Sequence, residues 1–167
     1  MLLTPNKFTS AEIATIKRQQ SIEKKWNALI EIAFNKANAS WQSVPDLHSK
    51  HDFILDLIEK YVKGPKNLRN KIAHGQWVIA LNSNNTAVDS TITNDLNQLD
   101  MVKISIWFEV HHSLCDIVRD LIQSANNAFL RDFNKHCTYL QNFISKTSSW
   151  TIADKKNLLD KRKRKNI

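Results

Sequence analysis

The stretch LRNKIAHGQW, residues 68–77, places Arg69, Asn70 and His74 within six positions. An unperturbed histidine titrates at about 6.5, so it can take or give a proton near neutral pH. Arginine is always charged, and its planar fork matches phosphate oxygens. The amide of Asn70 can orient either group, or the phosphate itself. These residue types suit proton transfer at a phosphodiester. Lys66 and Lys71 flank the three and could hold neighbouring phosphates, although each alone also reads as a solvated lysine on a helix surface. Trp77 could stack a base. A tryptophan in a β-prone run is more often buried against helices.

The same residues could mark nothing more than a helix end, where a basic group meets the negative pole of the helix dipole. Composition weighs against coincidence. The chain has six Arg, 17 Asn and six His, and shuffling it gives Arg-Asn-x-x-x-His only about 0.02 times per chain. Helical geometry adds a constraint. Asn70 and His74 are four apart and share a face, whereas Arg69 lies about 140° around the helix from His74. Both reach one phosphate only if the arginine folds across, the helix end is distorted, or two protomers build one cleft.

The elements that must position these residues are helical. The chain has only two glycines and three prolines, which argues against many short strands and tight turns. Thr9 and Glu12 have capping-box spacing, and Ile22, Trp26, Leu29, Ile30, Ala33, Phe34 and Ala37 mark one helix from about residue 10 to about 38. Pro45 interrupts. Phe53, Ile54, Leu57, Ile58, Tyr61 and Val62 mark a second helix, with Ser49 and Asp52 as its cap. Gly64-Pro65 is expected to end it and Gly75 to close a short motif helix over 66–74. Two β-prone runs around Ser83-Asn84-Asn85 predict a small hairpin. A stripe from Leu96 to Ile144 predicts long helices. Unbroken, about 50 residues would span roughly 75 Å, so either a break is expected near Ser124–Asn127 or the distal part packs on a partner.

Here the sequence resembles a known family. Arg69-Asn70-Lys71-Ile72-Ala73-His74 is similar to the Arg-x(4–6)-His signature of HEPN domains (higher eukaryotes and prokaryotes nucleotide-binding), in the Arg-Asn-x-x-x-His form of their ribonuclease members. Two helices before the motif and a long helical region after it look like HEPN as well, over residues 10–145. The resemblance implies an all-α, HEPN-like bundle with a small β-hairpin, and metal-independent RNA endonuclease activity. Arg69 would stabilise phosphate charge, His74 would move protons and Asn70 would orient them. The products would be a 2′,3′-cyclic phosphate and a 5′-hydroxyl, and no cofactor is required. It also implies a homodimer with the motifs near the interface, an antitoxin or regulatory protein as a further partner, and a role as a toxin or in antiphage defence. Some HEPN toxins carry a tyrosine two positions after the histidine for modification by a partner. Gln76 stands there, so that control is not expected.

Charge and composition bound the alternatives. The net charge of +8 looks like a nucleic-acid signature until it is located. From Lys146 onward eight basic residues face two acids, while residues 1–145 carry 16 basic and 14 acidic residues. The tail Lys161-Arg162-Lys163-Arg164-Lys165 therefore makes most of the field. It is a candidate for salt-sensitive RNA binding, and equally reads as a solvated end or an address segment. The expected organisation is a helical domain over 1–146 and a C-terminal extension with a basic tail over 147–167. Cys115 and Cys137 form no Cys-x-x-Cys pair and read as buried, reduced thiols. His48 with His51, and His111 with Cys115, are metal-like pairs lacking further ligands. No signal peptide or membrane span is visible, so a cytoplasmic location is expected. No Gly-x-Ser-x-Gly elbow or phosphate-cradling glycine loop is present. Two other readings stand beside the nuclease: an inactive HEPN-like dimerisation or nucleotide- or protein-binding module, and a nucleic-acid binder acting through its tail.

Overall fold

A computed structural model describes residues 7–123 and 129–165, without the side chains of 129 and 161–165. The chain is mostly helical, and the all-α class holds. In order the helices are α1 (Ser10–Arg18), α2 (Ile22–Ala37), α3 (Pro45–Ile58), α4 (Gly64–Ala73), α5 (Ser90–Asn97), α6 (Met101–Gln123), α7 (Phe129–Thr147) and α8 (Ile152–Lys165).

The capping box forms as its spacing requires. Glu12 N–H donates to the Thr9 hydroxyl (3.2 Å) and Thr9 N–H to the Glu12 carboxylate (2.7 Å). The expected single helix over 10–38 is instead two, α1 and α2, because Gln19 and Ser21 take extended backbone conformations. The second expected helix begins earlier than its proposed cap. Pro45 occupies the first turn, where its missing N–H costs nothing. Ser49 and Asp52 are therefore interior, and Asp52 faces His48 (3.2 Å) instead of capping.

The largest departure comes at Gly64-Pro65. The chain stays helical from Pro45 to Ala73, passing through a π-helical turn at Glu59–Lys63. In a straight α-helix the proline ring would collide with the carbonyl of Tyr61, four residues earlier, and could not donate to it. Widening the preceding turn relieves the collision. His111 on α6 then supplies a donor, with Nε2–H 2.9 Å from the Tyr61 carbonyl. The ring also meets Trp26 edge-on, with centroids 6.4 Å apart.

α6 and α7 form an antiparallel pair. Tyr139 donates to Glu109 (2.7 Å) and His136 meets Asp120 (2.6 Å), so rising numbers on α6 meet falling numbers on α7. The expected break at Ser124–Asn127 lies outside the described residues. The principal core joins Ile30, Ala33 and Phe34 of α2, Ile54 and Ile58 of α3, Val110, Leu114, Ile117 and Leu121 of α6, and Phe133, Cys137 and Leu140 of α7. At its centre Phe34 meets Phe133 edge-on at 5.7 Å. The stripe beginning at Leu96 is also interrupted: α5 ends at Asn97, and Asp100 starts α6 by accepting from Lys103 N–H (2.9 Å).

The expected hairpin does not form. Leu81 and Val88 make one isolated antiparallel bridge, and no strand occurs among the described residues. The Asn82 side chain holds the loop between them by accepting from Thr86 N–H (3.0 Å). α8 starts at Thr151 and Asp154, whose side chains cap each other's backbone, and it rests on α6. No helix among the described residues is long and apolar enough to cross a membrane.

If His111 caps the carbonyl that Pro65 leaves undonated, His111→Phe keeps the ring beside Trp26 but removes the donor. Urea denaturation should then show a loss of about 1–3 kcal/mol. An unchanged midpoint would refute this role.

Candidate functional site

α4 carries the motif, and its end has a defined geometry. His74 caps the helix immediately after Ala73, with φ −92° and ψ 18°. Gly75 follows in the left-handed region at φ +77°. Gly75 N–H donates to the Ile72 carbonyl and Gln76 N–H to the Lys71 carbonyl, both at 3.0 Å. This paired arrangement is the Schellman closure that favours glycine. It turns the chain sharply after the histidine and leaves the His74 side chain exposed.

A loop wall faces this helix end. The Gln76 side chain accepts from Leu81 N–H (2.7 Å), and the Lys71 ammonium donates to the Leu81 carbonyl. Ala80 N–H donates to the Thr93 hydroxyl (3.0 Å), which ties the loop to α5. Under it, Leu68, Ala80 and Leu96 form a small second core, with Ile72, Ile92 and Trp107 against it. Between helix and loop lies an open groove of ≈ 610 Å³, lined by Asn70, Lys71, His74, Gln76, Asn82 and Asn85 among others. An adjoining hollow of ≈ 430 Å³ shares Asn70, Lys71 and Asn82 and adds Asn67 and Asp89.

The structure thus brings Asn70, Lys71 and His74 together. The side chains of Asn70 and His74 make no hydrogen bond or ion pair with another described residue. Arg69 is exposed and is not among the residues lining the groove. It lies on the other flank of α4, as its offset of about 140° from His74 requires. Lys66 is directed elsewhere again. Its ammonium sits 3.2 Å from both carboxylate oxygens of Glu23 on α2. Lys71 lines the groove, but its charge is already engaged by the Leu81 carbonyl. The backbone of α8 runs through Lys161, Arg162, Lys163, Arg164 and Lys165, whose side chains lie outside the described residues.

Two expectations about nearby side chains are corrected. Trp77 is not buried: it is 68% exposed, and Val78 and Ile79 follow at 65% and 54%. The turn at Gly75 and the Gln76 bond send this run outward, so the apolar sequence predicts burial that the backbone does not deliver. Cys115 is only half-buried, while Cys137 is fully buried and its thiol is pushed up to about 12 by that burial. The metal-like pairs are engaged otherwise. His51 lies 3.0 Å from Glu31, His48 faces Asp52, and His111 donates to Tyr61. Among the described residues no cluster of three or more His, Cys, Asp or Glu could hold a metal ion.

Sequence reasoning missed the amides of the loop wall, Gln76, Asn82 and Asn85. The available signal is the concentration of asparagine at positions 82, 84 and 85, which by itself predicts only a turn. No family model matches the chain, and no curated protein or solved structure matches it either.

Two measurements check this geometry. Nothing lies within 4 Å of a methyl group added at Gly75, so Gly75→Ala should cost only the left-handed strain, about 1 kcal/mol, and Gly75→Asn less. The Glu23 carboxyl is held down from its ordinary 4.5 to about 2 by its own backbone N–H and by Lys66, against the opposing effect of burial. A depressed carboxylate contributes fully above its unfolded value and loses that contribution as pH falls. Thermal melts of the wild type should therefore decline from pH 4.5 towards 2, and Glu23→Gln should flatten that decline.

Proposed function

We propose that the chain is a metal-independent RNA endonuclease of HEPN type acting at the α4 groove. The observation that carries this reading is the placement of His74 and Asn70, both unpartnered among the described residues, on one exposed groove beside Lys71. A histidine with its ring open to solvent can take the 2′-hydroxyl proton or return one to the leaving 5′-oxygen. Asn70 shares its helix face and can hold the phosphate or the ring. Arg69 would stabilise the phosphorane-like charge. Trp77, exposed three residues beyond His74, offers a stacking surface for an unpaired base. The KRKRK tail would add salt-sensitive affinity. A toxin or antiphage role belongs to the resemblance alone.

Because Arg69 and His74 lie on different flanks of one helix, the proposed site is completed by two copies, the arginine of one meeting the histidine of the other. The second reading is an HEPN-like interaction module without catalysis. The exposed run Trp77, Val78 and Ile79 favours it, since contiguous exposed apolar surface marks contact sites.

The test is incubation with an RNA pool in EDTA. Wild type should cleave to 2′,3′-cyclic phosphates, whereas His74→Ala and Arg69→Ala should not. Mixing the two inactive variants should restore cleavage, because one hybrid dimer site regains both residues. Restoration fails if one chain supplies both groups. Equal cleavage by all three proteins, or none by any, favours the interaction module.

A further inference from the structure

A second groove, of ≈ 670 Å³, lies between α1, α2 and α6 and shares no lining residue with the His74 groove. Its size falls within the range of small-molecule sites. The floor is apolar, made by Ile16, Ile22, Trp26 and Leu29. Ile22 is 45% exposed, although it opens the apolar stripe of α2. The rim is cationic: Lys17, Lys25 and Arg119 are fixed positive charges, against the single carboxylate of Asp116. That carboxylate is already engaged, by Arg119 at 2.6 Å and His112 at 3.6 Å. Lys17 and Lys25 make no ion pair or side-chain hydrogen bond with another described residue.

An apolar floor beneath two uncommitted ammonium groups complements one kind of ligand. We propose that this groove binds a small amphipathic anion, an acyl or aryl carboxylate, with its apolar body on Trp26 and Leu29 and its carboxylate against Lys17 and Lys25. A polyanion would leave the apolar floor exposed to water, and a neutral hydrocarbon would leave the ammonium groups unpaired. The groove therefore discriminates by requiring both parts at once. Cys115 lines the same groove. Burial and the neighbouring Asp116 raise its thiol, so it serves here as a wall and a reporter, not as a nucleophile.

The intact protein is titrated with the fluorescent aryl sulfonate 1-anilinonaphthalene-8-sulfonate, then with decanoate or decanol as competitor. Saturable binding at one site, displaced by decanoate and not by decanol, is expected. The double variant Lys17→Gln, Lys25→Gln should bind roughly tenfold more weakly, and since neither side chain makes an ion pair among the described residues its far-ultraviolet circular dichroism should match the wild type. Decanoate should also slow maleimide labelling of Cys115 at alkaline pH, while Cys137 stays unreactive in the folded protein. Equal displacement by decanol, wild-type affinity in the double variant, or Cys115 labelling indifferent to saturating decanoate would each overturn the proposal.

Discussion

The missing N–H of Pro65 is the constraint on which the rest of the motif region depends. A proline in mid-helix ordinarily breaks or kinks it. Here the chain widens by one π turn at Glu59–Lys63 and continues as helix to Ala73. The carbonyl left without its α-helical donor is met by His111 from α6. A defect in α3–α4 thereby becomes a joint to the longest helix among the described residues. Since α6 is locked in the principal core by Val110, Leu114, Ile117 and Leu121, this bond joins burial of Tyr61 and Val62 and the Lys66–Glu23 pair in setting the direction in which α4 leaves that core.

The direction of α4 then divides its surface into three flanks. Lys66 reaches back to Glu23 on α2. Leu68 and Ile72 cover the small core over Ala80 and Leu96. Asn70, Lys71 and His74 face the loop groove. The small core is thin: full burial of one leucine contributes about 1.5–3 kcal/mol, and only Leu68, Ala80 and Leu96 are buried there. The loop wall is placed by hydrogen bonds that it donates to the Gln76 and Thr93 side chains and one that it accepts from Lys71. Few buried apolar contacts put this wall at the low-stability end of the molecule, where binding loops are commonly drawn from. The histidine itself sits on the stable side of the groove, held by the Schellman closure.

Local signals were legible in the sequence where one residue type forces one geometry. The Thr9–Glu12 box, the left-handed turn at Gly75 and the inward stripe of α6 and α7 all follow from such rules. The failures share a different cause. Leu96, Leu99 and Val102 keep helical spacing across residues 98–100, although the chain turns there, because both sides of the turn bury apolar groups. Pro65 signals a stop in the local sequence because the donor that compensates for it, His111, is remote in sequence. The run from Trp77 to Ile79 looked like a strand, but its neighbours give it no ladder and it faces solvent. Of the candidate site, the grouping of Asn70 with His74 follows from four-residue spacing. The amide wall opposite them does not, since it depends on how the loop folds back.

The isolation of Arg69 is the remaining physical point. Arg119 and Arg131 each lie against an aspartate, at 2.6 Å and 3.0 Å. Arg18 has the carbonyl pole at the last turn of α1 beside it. Arg69 has neither: it stands one turn before the end of α4, exposed, with no ion pair among the described residues. Its guanidinium is exposed on the flank of α4 turned away from the groove, and a surface arginine gains little from pairing. On the proposed function, its counter-charge would be a phosphate supplied from outside the chain. Helical geometry sends that anion to the flank of α4 away from His74, so an anion bridging both residues must be approached from two sides. In the two-copy site proposed above, α4 facing α4 would allow that approach without bending either helix, with the exposed apolar run beside His74 as the surface on which the copies would meet.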